Sequence, residues 1–104
     1  MRAASTTLFV LGLIVPFARA DLHSDGVCID KIGGQNVYNA AATKAACTAY
    51  LQRNTGNKQW DQCPDCTMKT VGNLEVCHSD GWHLGGDELD HYCKNSNARG
   101  SLAN

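Results

Sequence analysis

The pattern of apolar and polar positions changes period several times along the chain, and each change marks an element. Val27-Cys28-Ile29-Asp30-Lys31-Ile32 reads as a short strand that ends at Gly33-Gly34. From Ala40 to Gln52 the period lengthens. Ala46, Cys47, Tyr50 and Leu51 recur at the spacing of one helix face, alanine is the strongest helix former, and Asn39 stands where a cap belongs. A polar linker from Asn57 to Pro64 follows, with Trp60 in its middle. Met68 to Val71 and Leu74 to Cys77 flank Gly72-Asn73, a pair suited to a two-residue hairpin loop with glycine first. After a turn-rich stretch from His78 to Gly86, Asp87 reads as the N-cap of a second helix, with Glu88 and Asp90 in its first turn and Leu89, Tyr92 and Cys93 on one face. The segment Asp21 to Gly26 is polar and reads as loosely held. The tail from Asn95 to Asn104 reads as mobile unless it adds an edge strand. Strand, helix, hairpin, helix gives an α+β domain: two helices packed on one face of a small antiparallel sheet.

The first twenty residues do not fit this pattern. Arg2 near the start, an apolar run from Leu8 to Phe17 and then Ala18-Arg19-Ala20 have the three parts of a secretory signal peptide. The run is shorter than the roughly 20 residues a membrane span needs. Cleavage is placed after Ala20, leaving residues 21–104 as one domain, without membrane insertion. Removing Arg2 and Arg19 takes the formal charge from -1 to -3. An acidic chain with no basic cluster is a poor match for nucleic acid or for a cationic membrane-lytic peptide.

All six cysteines, Cys28, Cys47, Cys63, Cys66, Cys77 and Cys93, lie after the leader. Secretion passes them through an oxidising compartment, where a small domain gains most from covalent staples, so three disulfides are expected. The pairing is left open, except that the close neighbours Cys63 and Cys66 are expected to take different partners. A zinc site of Cys63, Cys66, Cys77 and His78 can be drawn. Adjacent residues rarely share one tetrahedral ion, however, and the remaining cysteines would go unexplained, so no metal is assigned. The residues around Cys63-Pro64-Asp65-Cys66 also lack the strand and helix context of a thioredoxin-like redox motif.

Three of the four histidines, His78, His83 and His91, lie close to Asp80, Asp87, Glu88 and Asp90. Such a set could serve acid–base chemistry, but no lysine or arginine stands beside it to hold a phosphate, and cap and loop positions account for it. No catalytic residue and no cofactor are assigned. His83 or His91 with Asp87 would make at best a weak metal pair. Trp60 and Trp82, in irregular polar segments, are the candidate binding anchors, with His83 beside them, against the alternative that each folds over the core. Asp61 and Asp65 read as solvated turn residues.

The Ala-rich helix carrying a cysteine, the run Asn54-Thr55-Gly56-Asn57-Lys58-Gln59-Trp60-Asp61-Gln62-Cys63-Pro64-Asp65-Cys66, and Gly85-Gly86-Asp87-Glu88-Leu89-Asp90 before a final cysteine together resemble the small secreted cysteine-rich proteins of filamentous fungi. The resemblance spans the region after the leader. It implies an extracellular, non-enzymatic effector, a monomer that binds a host or extracellular protein or a cell-wall glycan. Some members have the helix-on-sheet form of KP6-like killer toxins, a form with a further strand after the second helix. A killer-toxin-like or antimicrobial role is the alternative, and a small secreted hydrolase a third.

Overall fold

The computed structural model describes residues 22–104. The leader and its cleavage point lie outside the described residues. Nine elements follow in order: β1 (Leu22–His23), β2 (Asp25–Ile32), β3 (Gln35–Tyr38), α1 (Ala40–Gln52), β4 (Thr67–Val71), β5 (Leu74–His78), β6 (Leu84–Gly85), α2 (Gly86–Asn95) and β7 (Gly100–Ala103).

Strand β2 is the axis of a five-stranded antiparallel sheet. On one side its C-terminal half pairs with β3, and its first residues pair with β5. On the other side Gly26 to Ile29 pair with β7. The tail therefore adds a strand, and the chain after Ala98 closes the sheet rather than trailing from it. The Gly33-Gly34 pair does not end the sheet but turns it. Both glycines have positive φ, the requirement of the two-residue loop that makes β2 and β3 a hairpin. Only glycine takes two such values in succession without steric cost. The second hairpin, β4–β5, follows the expected pattern with Gly72 at φ +62°. Leu22 and His23 pair with β6, so the segment before Cys28 is held by backbone bonds along most of its length, contrary to its polar appearance.

Helix α1 matches its predicted span. The Asn39 side chain accepts the Ala42 N–H at 2.9 Å. Its buried face is Ala42, Thr43, Ala46, Cys47 and Tyr50, while Leu51 is exposed. Buried Thr43 is matched on both sides: its hydroxyl donates to the Asn39 carbonyl and accepts the Cys28 N–H. Helix α2 starts two residues earlier than predicted. Its cap is Gly85, with no side-chain bond, and Asp87 and Glu88 lie in the first turn, where the helix dipole favours carboxylates.

The helices share one face of the sheet, and bridges tie each to it. Cys28 of β2 joins Cys93 of α2, and Cys47 of α1 joins Cys77 of β5. Two buried clusters form there. One gathers Cys28, Ala42, Ala46, Leu89, Cys93 and Ala98; the other gathers Cys47, Tyr50, Cys63, Cys66, Cys77 and Leu84. The expected α+β architecture, two helices stapled to a small antiparallel sheet, is the one observed.

The third bridge corrects the sequence reading. Cys63 and Cys66 bond to each other, not to separate partners. Pro64-Asp65 forms a tight turn closed by the Cys66 N–H to the Cys63 carbonyl at 3.1 Å. The two Cα atoms come within 5.3 Å, inside disulfide reach, while Cys47 and Cys77 satisfy each other across the core.

Candidate functional site

Two loops lie side by side at one end of the fold: residues 53–62, after α1, and residues 79–83, before β6. Neither has a strand ladder to satisfy its backbone, so side chains do that work. Gln59 donates its amide to the carbonyls of Gly81 and Trp82 at 3.0 and 3.1 Å, and the His83 Nδ1–H returns a bond to the Gln59 carbonyl at 2.8 Å. Beneath them the Tyr50 hydroxyl meets the Trp60 carbonyl and the His83 carbonyl and accepts the Gly85 N–H at 3.1 Å. Burial is the main reason its phenol is pushed up to about 12, with the Gly85 N–H pulling the other way.

Carboxylates complete the frame. Asp61 accepts the N–H groups of Asn57 and Lys58, and the Arg53 guanidinium lies 4.0 Å away. Asp65 accepts the Ser79 hydroxyl at 2.6 Å and the Gly81 N–H at 2.8 Å. Burial raises the Asp65 pKa, but these bonds and the His83 charge outweigh it and hold the carboxyl below its ordinary value. Neither aspartate is simply a solvated turn residue, as the sequence suggested; each organises a loop.

This frame displays Trp60 and Trp82, which are 38% and 49% exposed, with His83 half-buried between the loops. Trp82 has φ +59°, in the left-handed region that a bulky aromatic rarely adopts. Such a residue persists only where its surroundings over-determine it, and the Ser79 turn, Gln59 and Tyr50 do so here. The loop positions of Trp60, Trp82 and His83 are thus brought beside one another through the bonds of Gln59 and Tyr50. Gln59, Tyr50, Asp65 and Ser79, which hold them there, carry no linear signal, since their partners lie 10 to 35 residues away.

The histidine and carboxylate set is dispersed. His78 lies on the helix-free face of the sheet, its Nδ1 2.6 Å from Asp25 and its Nε2 2.7 Å from exposed Asp80. With both ring nitrogens donating to carboxylates, Asp25 first and Asp80 second, its pKa is raised. His83 faces the Gln59 carbonyl, and His91 pairs with Asn95 along α2. These three rings are held by separate partners.

The sequence profile of a family described as biotrophy-associated secreted protein 4 matches residues 21–101. A curated relative of that name from Pyricularia oryzae (strain 70-15) is 32% identical over 90 residues, covering 86% of this chain and 78% of its own. No solved structure matches the chain.

Proposed function

The chain belongs to the biotrophy-associated secreted protein 4 family, and from that premise we propose that it acts as a non-enzymatic fungal effector, binding a host target through the Trp60–Trp82–His83 surface. Family and relative are secreted proteins, and the chain is extracellular. Three disulfides and no free cysteine among the described residues suit a protein that works outside the cell.

One observation carries the binding reading: a half-exposed tryptophan sits in the left-handed region with its carbonyl held by the Gln59 amide. Large rigid rings lose little conformational freedom on contact, and a frame already fixed by disulfides and hydrogen bonds adds no ordering cost.

The test is complementation. A fungal strain lacking the gene should colonise host tissue less well, and the wild-type protein should restore it. A Trp60→Ala/Trp82→Ala protein that is secreted and folded should not. Full restoration by the double variant removes the tryptophan surface from the argument; undiminished colonisation without the gene removes the effector role itself.

A further inference from the structure

Two of the three bridges lie against each other. Cys47 on α1 and Cys77 on β5 meet across the core, and the 63–66 turn presses its second cysteine onto them. The Cys66 and Cys77 sulfurs, from different bridges, are 3.6 Å apart. Those of Cys47, Cys66 and Cys77 all lie within 4.8 Å of one another, and Cys63 is bonded to Cys66 at the border of this group. All four cysteines are buried. A cleft of about 200 Å³, lined by Cys47, Thr48, Cys66 and Met68 among others, opens onto the group from solvent.

A tetrahedral zinc thiolate, with Zn–S near 2.3 Å, places its sulfurs about 3.8 Å apart. The Cys66–Cys77 separation is already close to that edge. The bonded pairs would reach it by opening on reduction. Three sulfurs from three different elements form a triangle here, the face of a coordination tetrahedron, rather than the line that direct thiol–disulfide exchange needs. Cys63, bonded to Cys66 and outside that triangle, would swing in as the fourth corner once the 63–66 bridge opens. His78, adjacent to Cys77 in sequence, is not available, because it points to the opposite face of the sheet and both its nitrogens are held by Asp25 and Asp80.

We propose that Cys47, Cys63, Cys66 and Cys77 form a latent zinc site that is masked by two disulfides and exposed when a glutathione-class thiol reduces them. Each bridge takes two electrons and two protons from two thiol molecules, which leave joined as their own disulfide. The four protein thiols then bind one Zn²⁺ as thiolates and release their protons to solvent. The zinc replaces two covalent staples with one coordination centre at the same point, so α1, β5 and the 63–66 turn stay joined in a reducing compartment. The Cys28–Cys93 bridge takes no part.

The secreted protein, reduced with a phosphine under anaerobic conditions, is titrated with Co²⁺ and then Zn²⁺ and followed by visible absorption and thermal unfolding. The expected result is an intense thiolate–cobalt spectrum saturating near one ion per chain, bleached by zinc, with zinc raising the unfolding midpoint of the reduced chain. The oxidised protein should show none of this. A Cys28→Ser/Cys93→Ser variant should keep the tetrathiolate spectrum, and Cys47→Ser/Cys66→Ser should lose it. The site is refuted by a reduced chain that takes up no ion, by an oxidised chain that binds equally, or by a Cys47→Ser/Cys66→Ser variant with an unchanged spectrum. Ion uptake that leaves thermal unfolding unchanged refutes it as well.

Discussion

The sheet with its two helices and the pair of loops beyond it are held together in different ways. In the first region backbone ladders and buried apolar faces dominate, and the Cys28–Cys93 bridge joins positions 65 residues apart. In the second, side chains satisfy the backbone, and the local bridge spans three residues. Closing a long loop removes far more freedom from the unfolded chain than closing a short one. The first region therefore owes its stability to long-range constraint, and the second owes its shape to a few polar side chains. The second can tolerate a strained tryptophan because its neighbours, rather than its own backbone preference, decide its conformation.

The contrast can be broken at several points. The largest effect should come from the bridges. On the chain-entropy model, Cys28→Ser/Cys93→Ser should cost about 4 kcal/mol and Cys63→Ser/Cys66→Ser about 1.6 kcal/mol, from loops of 65 and 3 residues. Denaturant unfolding measures both, and equal losses would contradict the division into two regimes.

Next is Tyr50→Phe, which strips the Gly85 N–H of its acceptor and leaves two carbonyls without a donor. A loss of about 1–3 kcal/mol is expected. In the wild type, absorbance titration should show a tyrosine step near pH 12, absent from the variant. Since the folded pKa lies above the ordinary 10.0, the contribution of this group is complete below pH 10 and disappears as pH rises toward 12.

His78 tests the sheet region. Its raised pKa means that the charged ring stabilises the fold fully below the ordinary 6.5, and that this contribution is lost as pH rises through the higher folded value. The facing groups are Asp25 on β2, Asp80 in the following loop and Lys69 on β4, which opposes the charge. Unfolding midpoints should therefore fall as pH rises from 6 upward, and His78→Gln should flatten the curve.

The smallest effect should be that of Trp82→Gly. Relief of a left-handed φ offsets the entropy that glycine adds to the unfolded chain, so stability should change by less than about 1 kcal/mol. A larger loss would mean that the ring packs as core.

Much of the architecture was legible because it depends on neighbours in the chain. Asn39 caps α1, Gly72-Asn73 turns β4 into β5, and alanine-rich spacing makes a helix wherever it occurs. What escaped was long-range. The short strands β1, β6 and β7 have no apolar alternation of their own and exist because β2 and each other offer ladder partners. Leu51 falls on the exposed side of α1 because the buried stripe is centred on Ala46, a difference of angle too small for a four-residue pattern to resolve. In the loops the two tryptophans could be singled out by their setting, but not the residues that fix their direction. A glutamine bonding 22 residues away leaves no mark on its neighbours.

By itself the sequence determined the oxidising destination of six cysteines and the α+β class, since each follows from local composition or spacing. Tertiary structure decided how the cysteines pair, because several pairings suit one sequence and only three-dimensional proximity selects among them. It also decided that the loops carrying Trp60, Trp82 and His83 lie side by side and that the sulfurs of two bridges share a cluster. Both depend on contacts between segments far apart in the chain, where geometry is set by packing rather than by the residues on either side.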